Sequence, residues 1–258
     1  MGRTPRRSEV RTGRNTLVGC SIGLSLVLLS GAVGCSTDDG RRSIDVYAAS
    51  SLADIMELVE DRYERDNPEV DLRMNLAGTN ALVRQVNSGA DASILVAADA
   101  SFLDDLIYPT AAPPIPLATN ELTLTVPVDN PAGIDGPEDL IDDDVLTARC
   151  ATGVPCGDAT DDYLAANGYA IGRSTEEANV RSVLTKVSAG EVDAGFVYRT
   201  DAAVTDAVIQ IPLAGAPQVT VTMVQLDSER STVDLARYLA SDEVAELFEQ
   251  LDFGPVGG

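Results

Sequence analysis

Short apolar runs that read as strands alternate with helical patterns through the first third of the chain, and no other feature of the sequence restricts the fold as much. Residues 44–48 form a mostly apolar run; Leu52, Ile55, Met56, Val59 and Tyr63 then recur at helical spacing until Asn67-Pro68 ends the pattern. Residues 70–76 read as a second strand, 80–87 as a helix closed by Gly89, 93–96 as a third strand and 101–106 as a short helix. Such a βαβαβα order requires a parallel sheet covered by helices on both faces.

The Pro-rich stretch 109–116 interrupts this order, and a strand at 122–126 opens a second lobe. A strand at 145–148, helices at 159–167 and 180–188 stopped by Gly168 and Gly190, and a strand at 194–197 continue it. The chain closes with a strand at 219–225 and helices at 233–239 and 243–251. The expected architecture is a two-lobed α/β protein, each lobe a mixed sheet flanked by helices. Lobe 1 takes residues 43–120 plus 212–258, and lobe 2 takes residues 121–211.

The first 34 residues stand apart. Arg3, Arg6, Arg7, Arg11 and Arg14 face a single Glu9, residues 16–34 carry no charge, and Cys35 precedes the polar run Ser36-Thr37-Asp38-Asp39-Gly40. This is the order of an export signal, although an uncharged stretch of that length can also span a bilayer. Ala32-Val33-Gly34-Cys35 resembles the lipobox of bacterial lipoproteins, in which the Cys becomes the lipidated first residue. Leu17-Val18-Gly19-Cys20 is a second match with no apolar stretch ahead of it, and Arg6-Arg7 lacks the apolar residues that follow a twin-arginine signal. Residues 1–34 are thus expected to be a signal peptide and 35–42 a lipidated tether, leaving an extracytoplasmic protein that meets the membrane only through its anchor at Cys35.

Charge and composition narrow the chemistry. The whole chain carries 18 basic and 41 acidic side chains, a net charge of −23; residues 35–258 keep 13 and 40 of them, a net charge of −27. That acidity argues against nucleic acid or an anionic membrane surface as the main partner. With no His there is no imidazole base and no His metal ligand, which excludes Ser-His-Asp catalysis and the common zinc sites. No Trp and only 7 Tyr and 4 Phe leave little for aromatic stacking of sugars or single strands. Once Cys20 is removed and Cys35 lipidated, only Cys150 and Cys156 remain, in a compartment that permits disulfides, so a bridge between them is expected.

Four helix starts share one chemical character. Ser51, with Asp54 three residues on, has the capping-box pattern; Thr79 in Ala77-Gly78-Thr79-Asn80 repeats it; Val154-Pro155-Cys156-Gly157-Asp158 and Asn179-Val180-Arg181 open two more helices. Each such end presents unpaired N–H donors and about half a positive charge, which suits an anion. Almost every helix begins this way, however, so helix starts alone say little.

The wording around all four resembles, in order and spacing, the molybdate-binding proteins of bacterial ABC importers. Val46-Tyr47-Ala48-Ala49-Ser50-Ser51-Leu52 looks like that family's opening motif, and Leu76-Ala77-Gly78-Thr79-Asn80-Ala81-Leu82 with Gln85-Val86-Asn87-Ser88-Gly89-Ala90 like its second. Ala92-Ser93-Ile94-Leu95-Val96-Ala97-Ala98-Asp99, Val154-Pro155-Cys156-Gly157, Asn179-Val180-Arg181-Ser182-Val183-Leu184 and the run Gly190 to Ala202 follow. The resemblance spans nearly all of residues 43–258. It implies a periplasmic-binding-protein fold of the second type, with the ligand in the cleft between lobes that close on it, and a membrane ABC permease as partner. It also implies that Ser51, Thr79, Tyr198 and the backbone N–H groups of Cys156 and Val180 hold molybdate or tungstate, with no cofactor, no metal bound directly by side chains, and a monomeric protein. Two positions depart from the family: Thr79 stands where Ser is usual, and Cys156 where a small residue such as Ala is common.

A shell made mostly of donors suits a fully ionised tetrahedral dianion, because hydroxyls can donate and backbone N–H groups can only donate. A partly protonated phosphate would need an acceptor, and leaving it unpaired costs about 1–3 kcal/mol. Arg181 is expected to pair with an acid such as Glu176 or Glu177, and Asp201 to cap the short helix after Tyr198. Sulfate is the alternative ligand within the class. A hydrolase using Ser51 is the alternative outside it, and without His it needs a carboxylate or Lys186, the sole Lys, on the far part of a helix. A surface lipoprotein with no ligand is the remaining one.

Overall fold

The structure, a computed structural model, describes residues 40–257; the signal peptide, the lipobox and Cys35 lie outside the described residues. Structure begins inside the expected tether, since Arg42 opens the first strand and Arg41 pairs with Glu64 at 2.5 Å and Asp71 at 3.3 Å.

The predicted opening is present. Strands β1 (Arg42–Ala49), β2 (Val70–Ala77) and β3 (Ile94–Ala97) are parallel, with β1 between the other two, and helices α1 (Ala53–Asp66) and α2 (Thr79–Asn87) make the connections. Successive side chains of a strand point to opposite faces, so β1 and β3 feed two cores at once. Ile44, Val46, Ala48, Ile94 and Val96 pack with Ile55, Met56 and Val59 of α1. Leu95 joins Leu82, Val83 and Val86 of α2. All four residues of β3 are buried because both faces are covered.

Strand β4 is longer than its apolar run suggested. It covers Ile115–Pro127, taking in the end of the Pro-rich stretch, with a register irregularity between Pro116 and Ala118. A Pro offers no N–H to a ladder and is tolerated near a strand's start or at such a bulge. The expected helix at 101–106 is a 3-10 helix, Ala100–Asp105, and the remaining strands and α-helices are β5 (Leu146–Cys150), α3 (Pro155–Asn167), β6 (Arg173–Glu177), α4 (Val180–Ser188), β7 (Ala194–Tyr198), α5 (Arg199–Ala203), β8 (Val208–Ile211), β9 (Gln218–Gln225), α6 (Arg230–Leu239) and α7 (Asp242–Gln250). Strands β6 and β8 carry no clear apolar alternation and were not predicted; β6, Arg-Ser-Thr-Glu-Glu, is a polar edge strand.

The strands were expected to form one sheet in each lobe, but they pair along a single path, β2-β1-β3-β9-β4-β7-β5-β6, with β8 also on β4. The cause is that β4 and β9 are shared. Ala118 of β4 and Val221 and Met223 of β9 belong to the core around α1, α6 and α7. Leu122, Leu124 and Val126 of β4 and Val219 of β9 belong to another, with Ala148, Val183, Val187 and Phe196. Among the described residues no helix is long and apolar enough to cross a membrane.

Candidate functional site

The carboxyl ends of β1, β2, β3, β5, β6 and β7 point to one place, and the turns that follow them line a small cleft. Crevices outside the carboxyl ends of strands are the usual ligand sites of open α/β sheets. Ala49, Ser50 and Ser51 come from the end of β1, Gly78 and Thr79 from the start of α2, and Ala98 from the end of β3. Val154, Pro155 and Cys156 enter from the start of α3, Asn179 and Val180 from the start of α4, and Tyr198 from the end of β7. All five predicted site residues, Ser51, Thr79, Cys156, Val180 and Tyr198, are thus in one lining. No lining residue is charged, so electrostatics at the wall come from helix ends and hydroxyls.

Neither Ser51 nor Thr79 is the side-chain cap it was expected to be. Ser51 sits inside a short 3-10 turn, Ser50–Leu52, that leads into α1, and no side chain caps either helix. The capping box with Asp54 is absent because Asp54 is paired to Arg181 instead. Thr79 is the first residue of α2, after Gly78, and its Oγ1 accepts the Ala98 N–H at 3.1 Å. An oxygen held as an acceptor keeps its own proton for a further partner, so Thr79 remains a donor. The Ser51 hydroxyl makes no hydrogen bond among the described residues.

The other side of the cleft works through main chain. Helix α3 begins with Pro155, which brings no N–H, so its first free donor is Cys156. The Cys150–Cys156 disulfide, with S–S 1.97 Å and Cα–Cα 5.6 Å, ties this first turn to the end of β5. Gly157 completes the turn by close approach: a Cβ there would lie 2.1 Å from the Ala151 carbonyl oxygen. In α4 the Asn179 side chain caps the helix by accepting the Ser182 N–H at 3.0 Å, leaving the Val180 N–H at the first position without an intrahelical acceptor.

Tyr198 is 1% exposed, and its hydroxyl has no hydrogen-bond partner among the described residues. Burial first, then the charges of Asp99, Asp201 and Asp158, push the phenol well above its usual range. It therefore keeps its proton and is a donor. A buried hydroxyl left unpaired costs about 1–3 kcal/mol, so a ligand that accepts from it gains that amount back.

Arg181 and its acidic partners are absent from the lining. Arg181 pairs with Asp54 and with Asp201, not with the predicted Glu176 or Glu177; Glu177 is taken by Lys186. Arg181 Nε lies 2.8 Å from Asp201 Oδ1, a close ion pair without hydrogen-bond alignment. Asp201 is fully buried, and burial raises its carboxyl to about 7 against the attraction of Arg181. It is a partner of Arg181, and the Tyr198 N–H at the start of α5 also favours its charged form. Gly78 packs against the main chain at the start of α4, where a Cβ would meet the Ala178 carbonyl oxygen at 2.8 Å. These two contacts, Arg181 with Asp54 and Gly78 with Ala178, could not be read from sequence because they join segments far apart in the chain.

The sequence profile of the bacterial extracellular solute-binding proteins matches residues 44–253. The molybdate-binding protein ModA of Mycobacterium tuberculosis is 33% identical over 198 residues, which cover 72% of this chain and 76% of that protein. The solved periplasmic molybdate-binding protein of Azotobacter vinelandii superposes with a TM-score of 0.69 at 15% identity, over 81% of this chain and 98% of that one. The sulfate-binding protein SubI of Mycobacterium tuberculosis superposes with a TM-score of 0.70 at 14% identity, over 84% of this chain and 88% of that one. The fold is therefore shared by binders of different oxyanions, and the profile places the sequence: the chain belongs to the bacterial extracellular solute-binding proteins.

Proposed function

We propose that the protein captures molybdate, and tungstate in the same way, as the bare tetrahedral dianion, and delivers it to an ABC permease in the membrane. Membership of a solute-binding family makes the chain a carrier and not an enzyme. Among the described residues nothing in the lining could serve Ser51 as a base. The ion would be held by the hydroxyls of Ser51, Thr79 and Tyr198 and the N–H groups of Cys156 and Val180. Lobe 1, residues 43–120 plus 212–258, and lobe 2, residues 121–211, would close around it, with Cys35 as the lipid anchor.

The observation that carries this reading is the unpaired, buried Tyr198 hydroxyl in a lining that has donors from several helix starts and no carboxylate. Such a wall has no carboxylate to accept a ligand's own proton, which disfavours hydrogen phosphate. Sulfate has the same proton count as molybdate, and the likeness to SubI in fold makes it the second reading. The choice of molybdate rests on the sequence identity with ModA and on the motifs around the four helix starts.

The test is a thermal shift on residues 36–258 with molybdate, tungstate, sulfate and phosphate at equal concentration and ionic strength. A ligand at a hundred times its Kd adds about 2.7 kcal/mol to stability. Stabilisation by molybdate and tungstate alone is the expected result; stabilisation by sulfate would move the assignment to the second reading, and none with any ion would overturn both.

A further inference from the structure

Arg181 is the residue after Val180, Asp54 comes three residues after Ser51, and Asp201 three after Tyr198. Each charge therefore lies within three residues of one of the proposed ligand contacts. Asp201 is fully buried beside Arg181 and fixes the guanidinium from α5, on the same core as α4. The terminal Nη2 reaches the other way, to Asp54 in the first turn of α1. Asp54 is partly exposed, its side chain retaining 38% of its accessible surface.

The same stretch of chain makes a second contact with the first side of the cleft, where Gly78 lies against Ala178 so closely that no Cβ fits. Residues 178–181 are thus the edge of one side that meets the other, and Arg181 is the charged group on that edge.

We propose that Arg181 is a latch on the closed cleft, which it holds through Asp54 and which slows the escape of the bound anion. Asp201 is the positioning residue that keeps the guanidinium extended toward Asp54. This rests on the reading of the cleft as an oxyanion site. Neither Arg181 nor Asp54 is in the lining. The pair joins the start of the helix after Ser51 to the start of the helix that carries the Val180 N–H, so it adds to closure and not to recognition.

The latch predicts a sign opposite to that of plain electrostatics. Asp54 is a negative charge near an anion site, and its removal should tighten binding if charge alone mattered. Loss of the latch should instead weaken it. Partly exposed ion pairs contribute up to about 1 kcal/mol, which corresponds to a fivefold change.

The experiment measures association and dissociation rates of molybdate, tungstate and sulfate by stopped-flow tyrosine fluorescence on wild type, Asp54→Asn and Asp54→Glu at low and high salt. The expected result is a dissociation rate raised about three- to fivefold in Asp54→Asn at low salt, with association changed less than twofold. The difference should shrink at high salt, where the pair is screened, and Asp54→Glu should restore the slow rate. Tighter binding or an unchanged dissociation rate in Asp54→Asn would overturn the latch while leaving the oxyanion reading in place. If wild type binds none of the three ions, the oxyanion reading itself fails and the latch with it.

Discussion

On the proposed reading, the two sides of the cleft hold the ion with different chemistry. The side built from β1–α1 and β2–α2 offers side-chain hydroxyls, Ser51 and Thr79, while the side built from α3 and α4 offers main-chain N–H groups, Cys156 and Val180. A hydroxyl is specified by the residue that bears it. An N–H is carried by any residue but Pro, so what must be specified is the turn that aims it: Pro155 and the disulfide in one helix, the Asn179 cap in the other. Substitution should therefore act by side-chain identity on the first side and by backbone geometry on the second.

The largest effect is expected from the first side. Ser51→Ala combined with Thr79→Ala removes two donors to a charged acceptor, each worth about 1.5–3 kcal/mol, and titration calorimetry should show molybdate affinity lower by a hundredfold or more. A loss under tenfold would shift the weight of binding to the main-chain side.

The second side should yield next to loss of its bridge. Cys150→Ala with Cys156→Ala opens a short loop and should lower unfolding free energy by about 2 kcal/mol in urea titration. Anion affinity should fall severalfold, because the Cys156 N–H is no longer tied to β5; an unchanged affinity would mean that Gly157 and the helix itself aim that donor.

Val180 separates the two kinds of chemistry at one position. Val180→Pro deletes the N–H at a helix position that tolerates Pro, after an Asn179 already extended at φ −164°, ψ 167°. Affinity should drop by about 1.5 kcal/mol, or roughly tenfold. Val180→Ala keeps the N–H and should leave affinity within twofold, so equal losses in the two variants would contradict the main-chain assignment.

Tyr198 belongs to the second side but donates through a side chain, and here the expected effect is smallest and double. Tyr198→Phe removes an unpaired buried hydroxyl from the empty cleft, which should raise or preserve melting temperature without ligand, while molybdate affinity falls by roughly 1 kcal/mol. A lower melting temperature without ligand would show that the hydroxyl has a partner in solution.

What could be read from the sequence follows the same division. The strands and helices that carry Ser51 and Thr79 stand out through apolar periodicity, while the two hydroxyls gain a ligand role only through the family wording. Cys156 and Val180 are named only through the family wording, since a free N–H leaves no mark on residue identity. The partners of Arg181 were misassigned because proximity in sequence favoured Glu176 and Glu177, whereas tertiary structure brings Asp54 and Asp201. Strand β6 escaped for want of an apolar face, and β4 because Pro116 and the residues before Leu122 masked its length.

The passage of β4 and β9 between two cores bears on the order in which the chain folds. The core around Leu124 and Phe196 draws on residues 122–219 only, so every part of it is available once that stretch of polypeptide exists. The core around Ile44 and Val46 needs Val221, Leu235, Leu247 and Phe253 as well, and these arrive last. Contacts of such long sequence separation form late and slowly. A chain shortened at its C-terminus would then keep the later-encoded core and lose the one that its own first strand began.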